Sequence, residues 1–220
     1  MIVGVLILGR LSVWQLQRHE FKNRFVEEAG AAASLPEVDG ISSDLHEVTA
    51  ILFRHVRLQG HWEGPVLLEG GRSMKHGPGY GVMHRFVTTE GVGVLVDRGE
   101  VSRPEQALTL PLGPAVGGRL APLPEGRDRA PVAGTDPAIW PRKSLVGIHH
   151  RAGDVLPGVY LRAGPRLAPG VEPTLEGDLA VGYRPYTKTN SSLHYAKQWA
   201  AMALILAGLW GWASWERSTA

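Results

Sequence analysis

The chain has no cysteine among its 220 residues. Disulfides, thiolate metal sites and cysteine nucleophiles are therefore excluded. Charge of one sign is scarce too. Its 23 lysines and arginines against 21 acidic residues leave a formal charge of +2, with no basic run, which argues against a nucleic-acid groove. Catalytic signatures are also missing. GPGYG (77–81) lacks the Gly-Lys-Ser/Thr end of a phosphate loop, and the glycines of EGVGVLVDRG sit in a hairpin pattern rather than before a helix. No G-x-S-x-G elbow occurs. His55 and His61, His76 and His84, and the adjacent His149-His150 do not match zinc spacings, and no carboxylate cluster accompanies them. The expectation is a protein that is not an enzyme. A membrane-tethered hydrolase or oxidoreductase with dispersed residues is the remaining catalytic alternative.

What the chain does have is turns and tryptophan. Its 28 glycines and 16 prolines are spread through the middle, which reads as turn-rich globular structure rather than a linker. From Pro36 to about Gly182 the pattern is short strands. GVMHRFVTT (81–89) and VGVLVDRGEV (92–101), separated by Glu90-Gly91, predict a hairpin. Strands are also expected in 51–62, at Val66–Leu68 before a Gly70-Gly71 turn, and in 117–123, 143–150, 159–163 and 179–186. Many strands without helical crossovers predict an antiparallel barrel or sandwich.

Both ends are apolar. Lys197 and Glu216 bracket an uncharged run of about 18 residues, long enough for a helix to cross hydrocarbon. Trp199 marks one end of it, and Trp210, Trp212 and Trp215 the other, as interfacial belts would. Residues 1–16 are apolar except for Arg10, Ser12 and Gln15 and fit a signal peptide poorly. Met1–Trp14 would span only about 20 Å as a helix, so we expect a start codon upstream or a truncated chain. Arg10 is the odd residue. A central membrane arginine costs roughly 2.5–3.5 kcal/mol, which makes it a functional candidate unless it snorkels to an interface.

The polar head of the last segment suggests a site. His194 and Gln198 share a helix face, beside an apolar stripe of Trp199, Met202, Leu206 and Trp210. An imidazole there can ligate haem iron, with Arg18 or Lys197 pairing to propionates. The alternative is that His194 and Lys197 anchor the helix at lipid headgroups. Trp14 and Arg18 mark where the first helix meets the central domain; Tyr195 and Trp199 mark where the second leaves it.

These pieces together resemble the surfeit locus protein 1 family, assembly factors for haem–copper cytochrome oxidase. LSVWQLQRHEFK (11–22) is similar to that family's L-G-x-W-Q-x-x-R-x-x-x-K, with Ser12 in place of the glycine. FRHVRLQGHW (53–62) is similar to its first strand and the Gly-aromatic pair that follows. GYGV (79–82) and VLVDRGEV (94–101) resemble its V-L-V-N-R-G-W-V segment, with Asp97 for asparagine and Glu100 for the aromatic. SLHYAKQWA (192–200) is similar to its H-L-x-Y-A-x-x-W. Here Ser192 falls on the family's histidine and His194 lies two places later, about 200° round a helix. Residues 103–178 match poorly. Asp97 is expected to pair with Arg98 or a neighbour, in a structural role.

The resemblance implies a membrane-anchored all-β protein: an antiparallel β-barrel or sandwich domain between N- and C-terminal transmembrane helices. The expected divisions are a first transmembrane helix at 1–17, a helical extension at 18–35, the β domain at 36–190 and a second transmembrane helix at 192–215. It also implies assistance in haem a delivery or insertion into cytochrome c oxidase subunit I, with that subunit or its assembly intermediate, haem a synthase and the lipid bilayer as partners. The implied place is the bacterial inner membrane with the β domain in the periplasm, ahead of the mitochondrial inner membrane. The candidate haem-binding residues are His194 (also the iron ligand), Tyr195, Trp199, Trp14 and Arg18. A cofactor-free scaffold that docks oxidase subunits is the rival reading.

Overall fold

Among the described residues, four α-helices and nine strands alternate unevenly along the chain. The computed structural model describes residues 2–74, 77–124, 128–135, 137–141, 144–167, 174–176, 179–183, 186 and 191–219, with the side chains of 72–74, 77 and 174–176 left aside. The helices are α1 (Ile2–Ala32), α2 (Leu45–Ala50), α3 (Leu145–Arg151) and α4 (Ser192–Thr219). Two compact units result: Met1–Glu28 with Tyr186–Ala220, and Ala29–Pro185.

The first unit is helical. α1 is rich in Leu, Glu, Gln, Arg and Lys, which lose little rotamer freedom in a helix. It continues to Ala32, where Ser34 Oγ donates to the Ala31 carbonyl at 2.7 Å and Pro36 lies just beyond. Ser12 Oγ on α1 donates to the Ala196 carbonyl on α4 at 2.9 Å. A Cβ on Gly4 would lie 3.1 Å from Leu206 Cδ2. Rising numbers on one helix thus meet falling numbers on the other, so the pair is antiparallel. Phe25 and Tyr186 meet edge to face with centroids 4.9 Å apart.

The second unit carries the strands: β1 (Val38–Asp39), β2 (His55–Met74), β3 (Gly77–Thr88), β4 (Gly93–Val101), β5 (Ala115–Pro122), β6 (Ile139–Trp140), β7 (Val159–Ala163), β8 (Thr174–Glu176) and β9 (Leu179–Val181). All belong to one nine-stranded sheet. The 20-residue β2 pairs through His55–Gln59 with β5 and through Gly60–Met74 with β3. β3 pairs with β4, β4 with β7 and β7 with β5, so these pairings return to β2. Phe86, Leu58, Val56, Val94, Val96, Leu120 and Leu161 fill the main core with essentially no exposure.

The β3–β4 hairpin is where its sequence predicts it, with Val87 opposite Gly93 and Gly91 at φ +82° in the turn. Strands also occupy 117–122, 159–163 and 179–181, as expected. The expected Gly70-Gly71 turn is instead an irregularity within β2, where the register shifts between Gly70 and Arg72 and Gly71 has φ +75°. The strand expected over 143–150 is a helix. Leu145 and Ile148 are buried at a three-residue spacing, and His149, His150 and Arg151 suit the negative end of a helix dipole.

The expected fold class needs correcting on three counts. The protein mixes helix and sheet rather than being all-β. The sheet is single and mixed, with β1–β2, β2–β6 and β4–β7 parallel, rather than an antiparallel barrel or sandwich. And no helix among the described residues is long and apolar enough to cross a membrane, so the expected transmembrane helices at both ends are not borne out. Length is ample at 31 and 28 residues; composition falls short. Arg10, Arg18, Ser12, Gln15 and Gln17 interrupt α1. In α4 the uncharged run holds Gln198, Gly208, Gly211, Ser214 and four tryptophans, whose indoles are part polar.

Candidate functional site

The five residues singled out above all lie on α1 and α4. The Arg18 guanidinium sits over the Trp14 ring, 5.3 Å from its centroid. Trp14 also lines a groove of about 390 Å³ along one face of α1, with Ile7, Arg10, Leu11, Val13 and Gln17. Arg10 makes no hydrogen bond or ion pair there among the described residues. On α4, Gln198 Nε2 lies 3.0 Å from His194 Nε2, as expected for side chains four apart on one helix face. His194 and Tyr195 are exposed and meet at their ring edges, with centroids 6.3 Å apart. Trp199 is half-buried.

Helix geometry then separates Ser192 from His194. Ser192 and Ala196, four apart, are buried at 3% and 2% exposure, while His194 and Gln198 occupy an exposed face. The position that matches the family's histidine therefore faces inward, and this chain's own histidine faces outward. No hydrogen bond, ion pair or ring contact among the described residues joins Trp14 and Arg18 to His194, Tyr195 or Trp199. His194 does not line the groove on α1. A haem needs an iron ligand beside an enclosing apolar wall; among the described residues His194 Nε2 instead lies against Gln198 on an open helix face.

The β unit holds polar clusters that the sequence did not single out. Trp62 stacks on His84 with centroids 5.2 Å apart, and the Arg98 guanidinium lies 4.6 Å from the Trp62 centroid. Arg98 Nη2 donates to the Pro111 carbonyl at 2.7 Å, and Trp62 Nε1 donates to that of Gly113 at 3.0 Å. His84 Nε2 donates to the Gly64 carbonyl at 3.1 Å. Burial, and then the Arg98 charge, hold the His84 pKa below its ordinary value against the raising effect of that bond.

A second cluster joins His55 to Tyr183 and Glu37. Sequence offered no signal for it, because its members lie 18 and 128 positions apart. His149 Nε2 donates to the Leu156 carbonyl at 2.8 Å and is structural, while His150 faces Asp128 at 3.2 Å in the open. His76 lies outside the described residues. Among the described residues no group of three or more His, Asp or Glu could hold a metal.

Asp97 and Glu100, the two departures from the resembled strand motif, converge on Arg162. Asp97 is 1% exposed, and its carboxylate lies 3.9 Å from Arg162 Nε; Glu100 lies 3.9 Å from Arg162 Nη2. The expected structural role of Asp97 is thus filled from β7.

No curated protein matches the chain. The SURF1 family model matches residues 2–204, which takes in α1, the whole sheet and the first half of α4. With that extent matched, the chain belongs to the SURF1 family, a family of assembly factors associated with cytochrome oxidase.

Proposed function

We propose that this protein assists cytochrome c oxidase assembly by docking subunit I, or an assembly intermediate containing it, at the stage when haem a enters. Haem a synthase is then a neighbour rather than a direct ligand. The same reading has it act at the bacterial inner membrane with the β unit on the periplasmic side. One observation carries it. Of twenty-two large apolar side chains that stand exposed among the described residues, eight are on α1 and nine on α4, against five on the β unit. Apolar surface of that extent marks an interaction site, and an assembling oxidase subunit is an apolar partner in keeping with a family associated with oxidase assembly.

The test replaces Leu204, Ile205 and Leu209 of α4 together by serine in cells that lack the native protein. All three are exposed, so the fold should persist. The expected result is loss of the oxidase haem a band from membranes and loss of crosslinks to subunit I. Normal oxidase would overturn the docking reading. Protein purified from haem-a-replete cells should be colourless; a haem band that His194→Ala removes would replace docking by haem carriage.

A further inference from the structure

His55 opens β2, and its Nδ1 lies 3.1 Å from the Tyr183 hydroxyl. Its Nε2 faces Glu37 Oε2 at 3.5 Å. Glu37 lies just before β1, on the stretch by which the chain enters the β unit, and Tyr183 follows β9 on the stretch by which it leaves. One imidazole therefore joins entrance to exit. Two arginines stand by Tyr183. Arg119, the Cα partner of His55 on β5, lies over the Tyr183 ring at 4.6 Å, and Arg166 forms an isolated bridge with Tyr183. Gly117 makes room: a Cβ there would come within 3.2 Å of His55 Nε2.

With His55 neutral, one arrangement suits both contacts. The phenol donates to Nδ1, and Nε2–H points at the Glu37 carboxylate. Tyr183 is 2% exposed, and burial raises its pKa despite both arginines, so its hydroxyl keeps its proton. Protonation of His55 reverses the first bond. Nδ1 becomes a donor, Tyr183 Oη has to accept, and the phenolic proton loses its acceptor in a buried place. The new charge also has Arg119 as its Cα neighbour on β5. Glu37 opposes it, with a side chain 43% exposed, where ion pairs gain little.

We propose that His55 is a proton-operated clasp. Neutral, it fastens the exit stretch at Tyr183 to the entrance of the β unit; protonated, it lets that stretch go. Two backbone bonds report its state: Tyr183 N–H to the Pro165 carbonyl at 3.0 Å, and Leu167 N–H to the Tyr183 carbonyl at 2.9 Å.

The experiment is amide hydrogen exchange on the full chain between pH 8 and pH 5, the span over which histidine changes charge. Rates are corrected for intrinsic exchange, and the β4 amides Val94–Val96 serve as the reference for global loosening. Relative to that reference, protection at Leu167 and Tyr183 should fall about tenfold as the pH drops. In His55→Gln and Tyr183→Phe the ratio should stay flat. Three results would each overturn the proposal: a flat wild-type ratio, a ratio that rises on acidification, or a fall that persists in His55→Gln.

Discussion

Asp97 and Arg162 are Cα partners across the parallel β4–β7 pairing, and their side chains meet there at 3.9 Å with the carboxylate nearly sealed from water. Glu100 shares the same guanidinium. A carboxylate in the core of a sheet is tolerated only with a compensating cation, and Arg162 supplies it from a strand that begins more than fifty residues later.

Removing that cation should therefore cost more than removing the anion. Arg162→Leu takes the β7 guanidinium away from the buried Asp97 carboxylate and is expected to lower unfolding stability by about 3 kcal/mol. Asp97→Asn, which restores the residue of the resembled motif, is expected to cost less than half as much. Urea denaturation of both variants checks the order, and equal losses would show that the pair is not what holds β4 to β7.

His84 sets an acid limit on the β unit. Its folded pKa lies below the ordinary 6.5 through burial and the Arg98 charge. As pH falls through 6.5, the unfolded chain takes up a proton that the folded chain still refuses, so stability declines. The contribution is complete above pH 6.5 and lost as the pH drops through the lowered value. Melting temperatures between pH 8 and pH 5 should show this slope, and His84→Gln should reduce it. An unchanged slope in the variant would assign it to other groups.

The Trp62 ring requires a flat cation. Arg98→Lys keeps the charge but loses the planar contact with the indole and the fixed reach to the Pro111 carbonyl. A loss of about 1–2 kcal/mol is expected in denaturant titration. A neutral result would mean that charge alone matters at this site.

Ser12 ties the two long helices where the resembled motif has glycine. Ser12→Ala deletes its bond to the Ala196 carbonyl and is expected to cost about 1 kcal/mol. Gly4→Leu should loosen the same helix pair further along, because even a Cβ there would come within 3.1 Å of Leu206. Crosslinking between cysteines introduced at positions 8 and 201 reports the separation. Efficient crosslinking in both variants would argue that other contacts hold the pair.

How much of this was legible beforehand depended on range. The β3–β4 hairpin was readable because its turn and both strands lie within two dozen residues, and the His194–Gln198 bond because four residues make one helical turn. Leu145–Arg151 misled because a short apolar run fits either period, and the burial of Leu145 and Ile148 settles it only in three dimensions. The ends misled in two ways: Arg10, Ser12, Gln15, Gln17 and Arg18 interrupt α1, and the tryptophans placed like interfacial belts lower the apolarity of α4. The family motifs located Asp97 and His194 but not their neighbours. Arg162 lies in the poorly matched stretch, and the inward turn of Ser192 is a property of the packed helix.

The double duty of β2 has a consequence for how the protein is made. Its first five residues wait for β5, and β5 and β4 in turn wait for β7. Until Val159–Ala163 has left the ribosome, a nascent chain presents two unpaired sheet margins and a half-covered interior. Synthesis of the stretch from β4 to β7 is thus the interval in which this protein is most exposed to aggregation.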